Sequence, residues 1–331
     1  MSPPSLDPEQ RARLLGAKLG ALVDGRWGSG TREPAAFGGG AALIEGRRGY
    51  VLIDDPAARG LGAALAWSEA HEVVEIVVLA EPAGDLARQA TYFTSRPEVY
   101  DVQGRELLPA SPAPIPVAPE PPADALALAE VLLEADLDVS VEHGVVSGEV
   151  AGLEVARVEV DDAGEARIEV GVGRNDREAF RLLHGDLPAP LALAQVVEAV
   201  RKVRRPGAPS HPLNRLMSER WLRAHLLAEP SRLGSWDLRP VPGPVPRDSV
   251  NDRIPAFAVG ADDTGTPVVL ACSVGIDLDL VPVAADGRAL LDPSARLVIA
   301  VPARDAHRAT RSLAAALREP AEVLAIEGDW R

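Results

Sequence analysis

The stretch LVIAVPARDAHRA, from Leu297 to Ala309, is the clearest indicator of the fold because two earlier stretches of the chain resemble it. Residues 77–89 have the sequence VVLAEPAGDLARQ, and ARIEVGVGRND at 166–176 aligns without a gap with ARLVIAVPARD at 295–305. Each copy has an apolar run, a break, an aspartate and then a helical pattern, which is typical of a strand followed by a helix. We therefore predict three tandem units of mixed α/β structure, the first and third most alike.

The three copies share an aspartate, at Asp85, Asp176 and Asp305, where the strand passes into the helix. We favour a capping role, in which each carboxylate accepts hydrogen bonds from the unpaired N–H groups at the start of the helix. The alternative is a set of ligand-facing acids at the carboxyl ends of strands, where open α/β sheets place their sites. Asp305 is therefore a weak candidate for a catalytic role.

Two proline-rich stretches divide the chain into segments. PASPAPIPVAPEPPA predicts a semi-rigid extended linker at 109–123, and RPGAPSHP places a shorter linker at 206–212. The linkers separate a first α/β segment, 1–108, from a diverged second segment, 124–205, and a third segment, 213–331. A further proline-rich patch at 240–255 is predicted to be a surface loop.

The predicted order of elements is helix, two or three strands, helix, strand, with a helix after the second strand in the first segment alone. This order resembles, in topology only, the core of the PD-(D/E)xK nuclease fold. That family needs an acid near the end of its second strand, and Asp54 and Asp55, or Asp277 and Asp279, meet this requirement. It also needs Asp/Glu-x-Lys on the third strand, and no third strand here contains a lysine. The resemblance therefore implies at most a catalytically inactive relative.

The acidic pair in GIDLDLVP alternates with apolar residues. On a strand, Asp277 and Asp279 would project from one face, where two carboxylates can bind a hard cation. We favour a solvent-exposed face opposite a core face that includes Ile276. Asp54, Asp55, Asp277 and Asp279 are thus weak metal candidates. No cofactor is predicted, and a divalent metal enters only under the enzymatic alternative.

Composition limits the classes of protein. The net charge of −15 argues against general binding to nucleic acid, whose phosphates are held by clustered Lys and Arg. A lone cysteine, Cys272, excludes an intramolecular disulfide and is predicted to pack as a small apolar residue. No apolar run approaches the ~20 residues of a membrane span and the start lacks a secretory signal, so we expect a cytoplasmic protein. The excess of Ala, Gly, Pro and Arg is typical of high-GC bacterial coding bias.

No motif in the chain forms a catalytic signature. We therefore expect a non-catalytic protein-interaction, regulatory or scaffold protein whose partner is a protein. One alternative is a metal-dependent, nuclease-like phosphodiesterase that uses Asp277 and Asp279, and another is a small-molecule-binding protein with a site between repeats. The helix predicted in PLNRLMSERWLRAHLL is amphipathic, with Arg220 and Arg223 expected on the side away from its apolar residues.

Overall fold

The protein is a mixed α/β protein, as the sequence predicts. The computed structural model describes residues 7–54, 59–161, 163–184, 187–205, 207–234, 236–328 and 330. The strands of this part of the chain form three sheets. The residues group into two compact units, which are Met1–Ile115 with Asp277–Asp286 and His307–Glu322, and Pro116–Ile276 with Gly287–Ala306 and Val323–Arg331. The division into three segments joined by two linkers remains a prediction.

The first sheet contains two parallel strand pairs flanked by antiparallel ones. Its strands lie side by side in chain order, with β3–β4 and β4–β5 parallel. Parallel neighbours need a crossover, and a helix lies between the strands of each such pair. The elements are α1 (Pro8–Trp27), β1 (Glu33–Ala35), β2 (Gly40–Glu45), β3 (Arg48–Ile53), α2 (Leu61–Ala70), β4 (Glu75–Ala80), α3 (Gly84–Ala90), β5 (Glu98–Gln103) and β6 (Glu106–Pro109).

The second sheet is antiparallel throughout, in the order β10-β9-β8-β7. Strand β8 was not predicted from the sequence, and β10 follows β9 without an intervening helix. The additional strand and the missing helix distinguish this sheet from the first one. The descent of the three segments from one ancestral unit remains a prediction. The elements are α4 (Ala123–Ala127), α5 (Ala129–Glu134), β7 (Asp138–Glu142), β8 (Val145–Val150), β9 (Leu153–Val160), β10 (Ala166–Val170), α6 (Gly173–His184) and α7 (Ala189–Val203).

The third sheet follows the plan of the first, with strands in the order β11 to β15 and a parallel β13–β14 pair. Its strand order over residues 254–328 agrees with that of residues 36–104, as a duplication requires. The elements are α8 (Ser218–Ala228), β11 (Asp237–Val241), β12 (Ala256–Ala261), β13 (Pro267–Cys272), α9 (Leu280–Leu291), β14 (Arg296–Pro302), α10 (Arg308–Ala316) and β15 (Glu322–Ile326).

Two features of the third segment correct the sequence-based expectations. Helix α9 follows the second predicted strand of this segment, where no helix was expected. The apolar spacing of LVPVAADGRALL suits a buried helix face, and Pro282 falls in the first turn, where proline is tolerated. Strand β11 occupies residues 237–241 and so overlaps the start of the predicted surface loop. Proline is accepted there because β11 is an edge strand.

A backbone bridge joins the stretches that follow α3 and α10. Glu98 aligns with Glu322 in the repeat, which makes Phe93 the counterpart of Leu317. These two counterparts form an antiparallel bridge. The Thr94 N–H donates to the Ala316 carbonyl at 3.0 Å, and the Arg318 N–H donates to the Tyr92 carbonyl at 2.8 Å. The two hydrogen bonds are reciprocal, which is the pattern of a two-fold contact between equivalent pieces.

The first unit contains a buried carboxylate, Asp286. Arg88 donates to both carboxylate oxygens, from Nε at 2.8 Å and Nη2 at 3.1 Å. The Gln89 amide donates at 2.9 Å and the Tyr92 hydroxyl at 3.0 Å. Because charge and hydrogen-bonding capacity are both satisfied, the carboxylate is tolerated at 3% side-chain exposure. It fixes the first turns of α9 against α3.

The core strands β4, β13 and β14 are apolar and almost wholly buried, as their continuous apolar runs predict. Cys272 ends β13, is fully buried, and has its thiol pKa raised to about 12 by burial. Among the described residues, no helix is both long and apolar enough to cross a membrane.

Replacing Asp286 with Ala should lower the free energy of unfolding by about 3–5 kcal/mol, since it leaves the buried Arg88 with Asp85 as its remaining anionic partner and removes the acceptor of the Gln89 amide and the Tyr92 hydroxyl. Urea denaturation followed by circular dichroism measures the change. The control is Glu198→Gln, which removes an exposed i,i+4 pair with Lys202 and should leave the midpoint unchanged. Equal midpoints for the two variants would contradict the central role of Asp286.

Cys272 should react with iodoacetamide only when the protein unfolds, because the folded thiol is buried and un-ionised at pH 8. Mass spectrometry over a urea series measures the labelled fraction. We expect labelling to follow the unfolding transition, with free glutathione in the same tube as the control for reagent activity. Labelling of the folded protein as fast as glutathione would contradict this.

Candidate functional site

Asp277 and Asp279 do not lie on a strand, contrary to the sequence-based expectation. Strand β13 ends at Cys272, and the two aspartates lie in the turn that leads into α9. Ile276, expected in a core face, is 58% exposed. The prediction was wrong because a turn followed at once by a buried helix face produces the same short alternation of apolar and acidic residues.

Both carboxylates bind groups of the first unit. Arg59 donates to Asp277 at 2.6 Å. Asp279 is buried and accepts the N–H of Gly62 at 2.9 Å, with a further backbone hydrogen bond from Gly60. Burial raises the pKa of the Asp279 carboxyl, whereas these backbone bonds favour its charged form. Asp279 thus caps α2 from a distant part of the chain, a structural role that needs no metal ion.

The acids at the end of β3 show no metal arrangement either. Asp54 forms an ion pair with Arg11, and Asp55 lies outside the described residues. A cavity of about 590 Å³ in the first unit adjoins Asp54, Arg59 and Asp279, each of which has one of the partners given above. Within the described part of the chain, no group of three or more His, Cys, Asp or Glu side chains is placed to hold a metal ion.

Two of the aspartates shared by the repeats lie inside their helices and are not the N-cap residues that we expected. Asp85 is in the first turn of α3 and pairs with Arg88 at 2.6 Å. Asp176 is in the first turn of α6 and accepts the N–H of Val172 at 2.7 Å. The two positions therefore share a place in the sequence repeat and differ in their contacts.

Asp305 makes yet another kind of contact. It is buried, and its carboxylate accepts the N–H of Gly275 at 2.7 Å, which ties the end of β14 to the turn after β13. The cap of α10 is His307, whose Nδ1 accepts the N–H of Ala309 at 3.2 Å. The contact of Asp305 is structural, and the capping role predicted for it belongs to the histidine two residues later.

The second unit contains a groove of about 570 Å³ between two strands, which we call the β7–β11 groove. One wall is β7, all of whose residues line it, and the other consists of residues 238–242. Apolar side chains of α5 and α8 and of the turn before β7 line much of the rest, namely Leu133, Leu137, Ala224 and Leu227. A groove bounded lengthwise by two strands suits an extended polypeptide.

Strand β7 offers unpaired backbone groups to this groove. Among the described residues it pairs only with β8, through a two-residue turn in which His143 and Gly144 both have positive φ. The pair that closes such a hairpin, Glu142 with Val145, exchanges hydrogen bonds, and bonding alternates along an antiparallel ladder. The N–H and C=O groups of Val139 and Val141 therefore point away from β8. These are the groups that an added strand would use.

Strand β11 forms the opposite wall and is also an edge strand, paired with β12 in the described part of the chain. The C-terminal ends of the two walls meet, because the His143 ring forms a hydrogen bond of 3.0 Å from Nε2 to the Gly243 carbonyl. The two walls therefore converge at their C-terminal ends.

A buried ionic network lies beside the groove, and Glu142, Glu149 and Arg223 belong to its lining. Arg220 donates to both Glu142 and Glu149. Arg223 lies 3.8 Å and 3.9 Å from the same two carboxylates and donates to the Phe257 carbonyl at 3.1 Å. Two cations therefore balance two anions, and coulombic attraction to its neighbouring glutamates raises the pKa of Arg220 although burial opposes it. The network holds α8 against the polar face of the second sheet.

The groove was not predicted from the sequence. Strand β11 was partly assigned to a loop, and Arg220 and Arg223 were expected on the exposed side of their helix, whereas they are 5% and 4% exposed. A signal was present in VVSGEV, where Glu149 interrupts an otherwise apolar and small-residue strand. A buried glutamate needs a cation, and arginines spaced three apart on a helix can supply it.

Comparison of the chain with protein-family models, with curated proteins and with solved structures finds no match.

Replacing Asp279 with Ala should lower the free energy of unfolding by about 1–2 kcal/mol through loss of the cap on α2. Asp277→Ala, which removes a partly exposed ion pair, should cost less, about 0–1 kcal/mol. Thermal unfolding with and without Mg²⁺ or Mn²⁺ measures both effects. A metal-dependent rise in melting temperature that is present in the wild type and lost in both variants would support a metal site instead.

Proposed function

We propose that the protein is a non-catalytic interaction module whose second unit binds an extended segment of a partner protein in the β7–β11 groove. The observation that carries the proposal is the unpaired edge of β7 along one wall. An extended peptide adds to such an edge through main-chain hydrogen bonds, and side-chain contacts then provide specificity. The two outward-facing residues, Val139 and Val141, supply two donors and two acceptors.

The remainder of the groove favours a peptide over a small polar ligand. Leu133 is 58% exposed and Val141 is 40% exposed, so apolar surface is available for burial. Burial of such side chains contributes roughly 25 cal/mol per Å² of apolar area. Arg220 and Arg223 are engaged with Glu142 and Glu149, so the main-chain edge and the apolar surface are the principal binding groups of this part of the groove.

The metal-dependent alternative has less support. It was based on Asp277 and Asp279, and their carboxylates are used by an ion pair and by a helix cap. The acids and histidines of the described residues provide no replacement set. We therefore do not propose a nuclease-like activity.

The test begins with a selection of phage-displayed random dodecapeptides on the full-length protein. Val141→Pro should weaken binding of the selected peptides by about tenfold or more, because it removes one hydrogen bond and places a ring in the path of the added strand. The ladder to β8 does not use this N–H, so the sheet is kept. Fluorescence polarisation with labelled peptides measures the affinity.

Ala166→Pro is the matched control. It lies on β10, the opposite edge of the same sheet, where the Gly171 N–H donates to the Val155 carbonyl and thereby sets the alternation of bonds. By that alternation the Ala166 N–H also faces outwards. This variant should bind the selected peptides like the wild type.

Hydrogen exchange of the wild-type protein tests the same proposal without a substitution. Saturating peptide should slow the exchange of the amides in residues 138–142, and the opposite edge strand β10 should be unaffected. Peptides that bind Val141→Pro as tightly as the wild type, with no protection at 138–142, would overturn the proposed function.

A further inference from the structure

We infer that the partner segment carries a basic side chain that binds Asp138, with apolar residues at the alternate positions that face the opposite side of the sheet. The inference rests on the proposed function and specifies the chemistry of its ligand.

Asp138 is an exposed carboxylate that lines the groove at the start of β7. It begins β7 and lies directly opposite Glu149 in the β7–β8 ladder, so the two side chains project from the same face. Glu149 is satisfied by Arg220, whereas within the described residues the Asp138 carboxylate has no hydrogen bond and no ion pair. Asp138 is therefore a negative charge of the groove that the protein does not compensate by a direct contact.

The surroundings of Asp138 make a cation the favoured neighbour. Burial, followed by the charge of Glu149, raises the pKa of the Asp138 carboxyl, while the charges of Arg201 and Arg223 lower it. A Lys or Arg side chain placed beside Asp138 would stabilise the charged carboxylate and relieve its repulsion by Glu149. An acidic residue at that place would add to the electrostatic repulsion between Asp138 and Glu149, and an apolar residue would leave that repulsion unchanged.

The two faces of β7 determine which side chains of the bound segment are polar and which are apolar. Side chains alternate along a strand, so Asp138 and Ser140 share one face while Val139 and Val141 share the other. Residues directly opposite one another on paired strands lie on the same face. A segment added to β7 therefore places one set of side chains beside Asp138 and Ser140, and the next set beside the exposed part of Val141. The first set is polar with a basic member, and the second is apolar.

Arg239 is an exposed charged residue on the opposite wall and provides the matched control. The residues of a segment hydrogen-bonded to β7 would be in register with Asp138. The preference for a basic residue at one position of the segment should therefore not depend on Arg239. A second control is Glu33→Gln, which changes an exposed acid on the edge strand of the first sheet.

Dodecapeptide selections on the full-length wild type, Asp138→Asn, Asp138→Lys and Arg239→Gln test the inference. The wild type and Arg239→Gln should select peptides with Lys or Arg at one position between apolar residues. Asp138→Asn should lose this preference, and Asp138→Lys should select Asp or Glu at that position. Peptides selected on the wild type should bind Asp138→Asn about tenfold more weakly and should bind Glu33→Gln unchanged.

The outcomes separate this inference from the proposed function. The selected peptides could depend on the Val141 N–H and protect residues 138–142, yet show no preference for a basic residue, or show one that persists in Asp138→Asn. Either result would overturn this inference and leave the proposed function intact. Peptides that do not protect residues 138–142 would overturn the proposed function with it. Thermal unfolding of each variant distinguishes weaker binding from loss of folded protein.

Discussion

The β7–β11 groove depends on one interaction, the binding of the Arg220 guanidinium to Glu142 and Glu149. Arg220 is on α8, and the two glutamates are on the hairpin of the second sheet. All three side chains are largely removed from water, so loss of any one of them would leave an unbalanced charge in a medium that solvates it poorly. The contact fixes α8 beside β7. Helix α8 also packs against β11, and the Arg223 bond to the Val241 carbonyl is one of the contacts between them. The ion pairs of Arg220 with the two glutamates therefore also position β11, the second wall of the groove.

The second sheet is covered on its two faces by different kinds of packing. One face meets α5 and α7 through an apolar cluster that includes Leu132, Val155 and Leu193. The other face meets α8 through carboxylates and guanidinium groups. Apolar packing is non-directional, whereas an ion pair with good geometry has a defined register. The ionic face therefore explains how a helix can be held at one position along an edge strand and leave that edge open.

Buried carboxylates in the first unit also hold together elements from distant parts of the chain, but they accept from different donors. Asp279 binds the backbone at the start of α2, and Asp286 binds the arginine, amide and hydroxyl presented by α3. Both acids come from the third segment and both are nearly inaccessible to water. Acidic pairs that look like metal ligands in the sequence are in this protein the means by which distant parts of the chain are joined.

The sequence by itself determined the local elements around the buried strands of the first and third segments. The apolar runs of β4 and β14, the helices that follow them and the shared order of the first and third segments could all be predicted, because burial on both faces leaves a continuous apolar pattern. Only the tertiary structure decided what the charged residues do. Asp279 lies 217 residues from Gly62, and Arg220 lies 71 residues from Glu149. Local periodicity indicates which residues are buried, but the role of a buried charge depends on the group opposite it, and that group comes from a part of the chain that only folding brings near.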